Sequence, residues 1–273
     1  MIETFIVGAR SNLSNELQKA IKNSTLVESS NTVSLIESLI EKDHSFNLIL
    51  NNFQPARFLN SFESLSSYID LSISLTAKIF DLISKKPFLL KKIIYTSSSS
   101  VYGENHCCNE SDIAIPSNLH SSLKLANEMI VSNICDKNNI DYTITRIFNL
   151  FGGKDNFSII SRIINAHQNT ETLTIVNDGN AIRDFIHIKD VVNAYKVILK
   201  TPQIHLINIG SGNGRTVKAI ISYMKNNGMK ILTKNIYMEE INVSISDNSL
   251  LKKILPTNYK FESVFDFLSK ENE

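Results

Sequence analysis

Proton-transfer chemistry is the first thing the residue types allow. A strand-like run, Ile93-Ile94-Tyr95-Thr96, leads into four serines, Ser97 to Ser100, and then Val101-Tyr102-Gly103. Further on, His120 and Lys124 stand four residues apart in a helical stretch, which puts both on one face, one turn apart. Hydroxyls at the C-terminal end of a strand face the crevice where open α/β sheets bind ligands. A titratable pair looking onto them makes a site that donates, accepts and moves a proton. The plainer alternatives are a serine-rich turn that caps the next helix and a solvated His/Lys pair.

The first βα turn is Gly8-Ala9-Arg10-Ser11-Asn12-Leu13-Ser14. A dinucleotide fold needs glycines here for the turn, for close approach of a pyrophosphate and for helix–strand packing. Gly8 fills the first of these places, and Ser11 and Ser14 stand at the other two in a G-x-x-G-x-x-G spacing. Serine is small and donates to phosphate; taken alone, the segment equally reads as an ordinary βα turn. Glu28, at the end of a second strand pattern, is placed to accept from a ribose hydroxyl; in isolation it reads as a surface carboxylate.

The elements that must position these groups alternate. Strands are read at Phe5–Val7, Thr25–Glu28, Asn47–Leu50, Ile93–Thr96, Tyr142–Ile147, Leu173–Val176 and Leu206–Ile209. Helices are read at Leu13–Ile21, Val33–Ile40, Leu71–Ile83, His120–Ile134, Phe157–His167, Ile188–Leu199, Val217–Met224 and Glu262–Lys270. Short apolar strands separated by helices predict an α/β fold with a doubly wound parallel sheet covered on both faces. The expected division is a dinucleotide-binding domain over 1–150, rejoined by 185–210, and a small substrate-binding lobe from 151–184 and 211–273.

Composition narrows the function class. The chain has 273 residues, 42% hydrophobic and 20% charged, with a net charge of +1. That balance gives no reason to expect nucleic acid or an anionic membrane as partner. The apolar runs are strand-length, and the start, Met1 to Gly8, lacks the basic segment of a signal peptide, so a cytoplasmic protein is expected. Adjacent Cys107 and Cys108 and the distant Cys135 fit neither a disulfide framework nor a metal site, so no metal is expected.

Several motifs together resemble one family. They are Ser97-Ser98-Ser99-Ser100-Val101-Tyr102-Gly103, Arg146-Ile147-Phe148-Asn149-Leu150-Phe151-Gly152, Arg183-Asp184-Phe185-Ile186-His187-Ile188-Lys189-Asp190-Val191 and Asn208-Ile209-Gly210-Ser211-Gly212. The chain resembles the extended short-chain dehydrogenase/reductases acting on nucleotide sugars: epimerases, 4,6-dehydratases and 4-keto reductases. The resemblance implies a Rossmann-type sheet, NAD as cofactor with NADP as the alternative, a nucleotide-diphosphate sugar as substrate, and a homodimer. It places the catalytic hydroxyl on Ser98 and the lysine that holds the nicotinamide ribose on Lys124. It puts cofactor contacts at Gly8, Ser11, Asn12, Leu13, Glu28 and Asn51, the last in the strand end Leu50-Asn51-Asn52-Phe53. Ser99, Ser100, Tyr102, Asn149 and Arg183 fall on the substrate side, Arg183 gripping the nucleotide.

The resemblance fails at four points. Two cofactor-loop glycines are replaced, and the segment between Glu28 and Asn47 is short, so the sheet is expected to lack a strand. Ser72 stands for an asparagine, and His120 stands where the family has its catalytic tyrosine. A neighbouring lysine lowers a histidine pKa from about 6.5, so His120 is expected to be neutral and able to accept and return a proton. The reading is an NAD(P)-dependent nucleotide-sugar epimerase, dehydratase or reductase using Ser98, His120 and Lys124. The alternative is a degenerate member that binds a nucleotide or nucleotide sugar without redox turnover.

Overall fold

Buried β-branched and aliphatic runs build the first layer. In the computed structural model, which describes residues 2–51 and 65–271, six strands form one sheet. They are β1 (Glu3–Val7), β2 (Ser24–Val27), β3 (Phe46–Leu50), β4 (Leu90–Ser98), β6 (Asp141–Ile147) and β10 (Leu206–Ile209), in the order β10-β6-β4-β3-β1-β2. The pairings of β1 with β2, β1 with β3 and β3 with β4 are parallel. Their register sets the site. Val7 lies beside Val27 and Leu50, and Leu50 beside Tyr95. Gly8, Glu28, Asn51 and the end of β4 therefore emerge along one edge, the C-terminal edge where such sheets bind ligands. β2 ends the sheet, and α2 (Thr32–Glu41) leads directly from it to β3 on the far side of β1.

α1 (Asn12–Ala20), α2, α3 (Leu65–Ile83) and α4 (Leu119–Asn138) cover the strands, with α3 packed between α2 and α4. Val7, Ile36, Leu48, Leu50, Phe80, Ile93, Tyr95 and Val131 are among the residues of one buried cluster. At about 25 cal/mol per Å² of apolar surface removed from water, such a cluster is the main force holding helices to sheet. A polar clamp fixes where α4 sits. Glu128 of α4 and Arg146 of β6 are 4% and 5% exposed. Arg146 donates from Nη2 to Glu128 Oε2 at 2.7 Å and from Nε to Oε1 at 3.2 Å, and Ser97 of β4 donates to the same carboxylate.

The chain divides into two compact units, residues 1–101, 116–146 and 195–207 in the first and 102–115, 147–194 and 208–273 in the second. The second holds strands that periodicity does not reveal. β5 (Asn105–Cys108), β9 (Ile182–His187), β11 (Gly214–Thr216) and β13 (Val243–Ser246) form a sheet in the order β11-β9-β13-β5, and β7 (Asn149–Phe151) also pairs with β9. β8 (Thr172–Val176) pairs in parallel with β12 (Leu232–Ile236). Segment 102–115, placed by sequence with the first domain, joins the second unit because β5 pairs with β13. Residues 185–194 go with it because β9 is central to that sheet.

α5 (Ile159–Gln168), α7 (Val217–Asn226) and α9 (Val264–Glu271) pack on this unit's core, which includes Phe151, Ile163, Ile220 and Leu268. α6 (Ile188–Ile198) follows β9, and α8 (Ser249–Ile254) follows β13. The fully buried Asp184 of β9 is its polar centre. The carboxylate accepts from Ser211 N at 2.9 Å, Ser211 Oγ at 2.6 Å, Gly212 N at 3.0 Å, Ser246 N at 3.1 Å and Ser246 Oγ at 2.5 Å. A side chain at Gly210 would meet Asp184 Oδ2 at 2.6 Å and Ser246 Oγ at 2.3 Å, so this close approach requires glycine.

Removing one partner of a buried ion pair leaves the other charged and unpaired, which costs about 3–5 kcal/mol. Arg146→Ala is expected to destabilise the chain by that amount in urea unfolding followed by circular dichroism. Replacing Glu128 and Arg146 together by leucine should cost less than the single change. A loss below about 1 kcal/mol for Arg146→Ala would contradict the clamp.

Candidate active site

The serine run is the end of β4 and one turn of 3₁₀ helix over Ser99–Tyr102. Ser100 donates to Ser98 Oγ from its backbone N at 3.2 Å and from its Oγ at 2.9 Å. With both acceptor positions of Ser98 addressed, its own proton is directed elsewhere, and Ser98 is a hydrogen-bond donor. Ser99 and Ser100 are half-buried, whereas Ser97 is buried and belongs to the Glu128 clamp.

α4 begins with a capping box, the Asn118 side chain accepting from Ser121 N and the Ser121 side chain from Asn118 N. This places His120 in the first turn of the helix and Lys124 one turn later. Lys124 is 6% exposed, donates from Nζ to the Thr96 carbonyl at 2.9 Å, and lies 5.3 Å from the Tyr95 ring centroid. Burial lowers its pKa to about 8, against the opposing pull of Glu128 one turn further on. His120 Nδ1 lies 3.0 Å from the hydroxyl of Tyr68 on α3. Burial first, and the Lys124 charge second, lower the His120 pKa to about 4. The direction is the one expected for a neutral imidazole, with desolvation outweighing the lysine as its cause. The positive end of the helix dipole also disfavours a cation in the first turn.

The first unit also holds the cofactor-side candidates. Gly8 has φ +96°, a conformation open to glycine and rarely to other residues. Ser11 is the N-cap of α1, its Oγ accepting from Ser14 N at 3.2 Å, and Asn12 and Leu13 open the helix. Asn51, 1% exposed, donates from Nδ2 to Ser11 Oγ at 3.0 Å and to Ser14 Oγ at 2.7 Å. Arg10 approaches Glu28 at 3.6 Å, both side chains largely in solvent. The donor set suits a dinucleotide: a helix N-terminus for the pyrophosphate, a carboxylate at the end of β2 for a ribose, and a lysine that is cationic below pH 8. Ser14 is fully buried with its hydroxyl on Asn51, so it adds no bulk to the exposed side of the turn. Asn52 and Phe53 lie outside the described residues.

Asn149, Arg183 and Tyr102 belong to the second unit. Asn149 and Arg183 line a cavity of about 380 Å³ together with Phe157, Arg162, Thr174 and Glu240. Asn149 Nδ2 donates to the Asp184 carbonyl at 3.0 Å, and Arg183 Nη2 to Glu240 Oε2 at 3.0 Å. Tyr102 is 2% exposed and donates to Asn208 Oδ1 at 2.8 Å, a hydrogen bond inside this unit.

Sequence reasoning missed Tyr68, Arg162 and Glu240. Tyr68 lies in two turns of α3 that precede the helix read from Leu71, and its apolar spacing gives no sign of a polar partner 52 residues away. Glu240, in irregular chain ahead of β13, meets Arg183 of β9 across 57 residues, for which the sequence carries no local signal. Among the described residues no group of His, Cys, Asp and Glu side chains forms a metal site, and no helix is long and apolar enough to cross a membrane.

Comparison with known proteins bears on these two units. A dTDP-D-glucose 4,6-dehydratase of Dictyostelium discoideum is 28% identical over 192 residues, 65% of this chain and 44% of the relative. A UDP-glucose 4-epimerase of Halalkalibacterium halodurans is 30% identical over 159 residues, 48% of this chain and 46% of the relative. The chain thus matches rather less than half the length of such relatives. Among solved structures, a UDP-glucuronic acid 4-epimerase from Bacillus cereus, in complex with UDP-glucuronic acid and NAD, superposes with a TM-score of 0.84 at 21% identity, covering 99% of this chain and 98% of the other. A UDP-N-acetylglucosamine 4-epimerase from Methanobrevibacter ruminantium gives 0.81 at 21% identity over 99% and 100%. At these identities the structural likeness establishes the fold, a Rossmann-type sheet. The family model for the NAD dependent epimerase/dehydratase family matches residues 5–210, and the chain belongs to that family.

Proposed function

We propose that the chain is an NAD(P)-dependent nucleotide-sugar enzyme, a 4-epimerase, dehydratase or 4-keto-sugar reductase, in which His120 takes the place of the family's tyrosine. The observation that carries this reading is Lys124: a buried amine seated on the Thr96 carbonyl, one turn from a neutral imidazole, at the end of the serine strand. Relatives named as a dTDP-D-glucose 4,6-dehydratase and a UDP-glucose 4-epimerase support the substrate class, and neighbours solved with NAD support the cofactor.

In this reading Gly8, Ser11, Asn12 and Leu13 hold the pyrophosphate, Asn51 braces the two loop serines, and Glu28 takes a ribose hydroxyl. The carboxylate favours NAD, and Arg10 beside it is the feature through which NADP would be accepted. The bound nicotinamide supplies or accepts hydride at the sugar carbon. Lys124 holds the nicotinamide ribose. Ser98, a donor by its hydrogen bonds with Ser100, polarises the sugar oxygen, with Ser99 and Ser100 beside it. His120 moves the proton at that oxygen. Asn149 and Arg183 hold the nucleotide diphosphate in the cavity of the second unit, with Glu240 orienting the guanidinium.

A second reading has its own observation. The two loop serines are tied to Asn51 where the family has glycines, which favours a member that binds nucleotide sugars without redox turnover.

Turnover assays with UDP-, dTDP-, GDP- and CDP-sugars, and with 4-keto sugars plus NADH or NADPH, separate the two. The first reading predicts turnover that His120→Ala lowers by about 10²–10⁴-fold, the usual contribution of general acid–base catalysis. Turnover unchanged in His120→Ala would remove His120 from the mechanism; sugar binding without any turnover would establish the second reading. The pH profile of kcat/KM gives another check. Lys124 is cationic below about 8 and His120 neutral above about 4, so activity should be level between these values. It should fall above about 8, as the ammonium that holds the ribose is lost. A basic limb near 10 would contradict this.

A further inference from the structure

Tyr68 is a buried polar group of the first unit that the reading above leaves unused. It projects from α3, is 3% exposed, and brings its hydroxyl to 3.0 Å from His120 Nδ1. A phenol is the better donor of the two groups and an imidazole nitrogen the better acceptor. Burial raises the Tyr68 pKa, so the phenol is protonated in the resting site, and His120 is neutral near pH 7. A neutral imidazole has one N–H and one bare nitrogen. If Nδ1 accepts from Tyr68, the ring proton is on Nε2.

We propose that Tyr68 is a positioning residue that fixes His120 as its Nε2–H tautomer, so that the site meets its substrate as a proton donor and takes a nucleotide sugar in its keto form. This rests on the enzyme reading above and selects carbonyl reduction within it. A sugar hydroxyl brought to an Nε2–H finds no lone pair to receive its proton, whereas a carbonyl oxygen accepts from it. The step balances. Hydride from a reduced nicotinamide bonds to the carbonyl carbon, and the π pair of the C=O bond moves to oxygen. That oxygen takes the Nε2 proton while Nδ1 takes the phenolic proton of Tyr68, and the phenolate left behind regains a proton from water. The imidazole in the tyrosine position is thus backed by a phenol from the neighbouring helix. A neutral histidine that polarises a carbonyl is an established enzymic device.

The test does not depend on turnover. The protein, labelled with ¹⁵N in its six histidines, is examined near pH 7 by long-range ¹H–¹⁵N correlation, the His120 signals being identified by their loss in His120→Asn. The expected spectrum has a bare Nδ1 and a protonated Nε2, and in Tyr68→Phe, which keeps the ring, the two nitrogen shifts move toward each other as the tautomers mix. A protonated Nδ1 in the wild type, or an unchanged His120 spectrum in a folded Tyr68→Phe, overturns the proposal. With 4-keto sugars, Tyr68→Phe should lower kcat about tenfold or more at little change in KM. Oxidation of the hydroxy sugar faster than reduction of the keto sugar overturns the substrate assignment while leaving the enzyme reading intact. Failure to bind any nicotinamide dinucleotide overturns both.

Discussion

The contact between Glu128 and Arg146 is the constraint on which the candidate site of the first unit depends. A carboxylate and a guanidinium taken out of water lose several kcal/mol of hydration each, and close hydrogen-bonded geometry is what offsets the loss. Here Arg146 addresses both carboxylate oxygens and Ser97 adds a third donor. The three groups come from β6, α4 and β4. Their geometry leaves little freedom in how α4 lies on the sheet. Lys124 is one turn before Glu128 on that helix, and its amine meets the carbonyl of Thr96, the residue just before Ser97. The site is therefore the next turn of a structural clamp. Its amine is buried, and that burial brings its pKa down to about 8, into the range where charge can change.

Two asparagines and a tyrosine show how replacements at the family's usual positions are accommodated. Serine at two loop positions would bring bare hydroxyls to the start of α1; Asn51 donates to both, and Ser14 turns inside. His120, which the resemblance sets at a tyrosine position, is met by Tyr68, whose phenol comes from α3. Ser72, where an asparagine is expected, is buried on the same helix, and its carbonyl accepts from Asn127 of α4 at 2.8 Å. The Ser72 hydroxyl and Asn127 Oδ1 themselves have no hydrogen-bond partner among the described residues, so this third case is satisfied only in part.

What could be read from the residues alone follows a physical boundary. The six strands of the first sheet are apolar because parallel strands are covered on both faces, and each was visible within a residue or two, although β4 runs longer at both ends than its apolar stretch. The placing of the serine run at a strand end and of His120 and Lys124 one turn apart on a helix was legible because a strand end and an i,i+4 spacing are local features. The strands β5, β7, β9, β11, β12 and β13 were not. Asn105–Cys108 and Gly214–Thr216 have no strand pattern of their own and become strands through the partners that the fold brings to them. Asp184 stood inside a quoted motif, yet its five donors come from Ser211, Gly212 and Ser246, and nothing in the local sequence assigns them. Tyr68 and Glu240 fall on the same side of the boundary, as partners made by tertiary structure alone.

In the proposed function the first unit holds a nicotinamide dinucleotide with Lys124 on its ribose. Isothermal titration calorimetry of NAD⁺, NADH, NADP⁺ and NADPH into the wild type and into Lys124→Met tests it directly. Saturable binding of at least one of them, weakened by about tenfold or more in Lys124→Met, is predicted, because a charge-assisted hydrogen bond is lost. No saturable binding of any of the four to the wild type would contradict it.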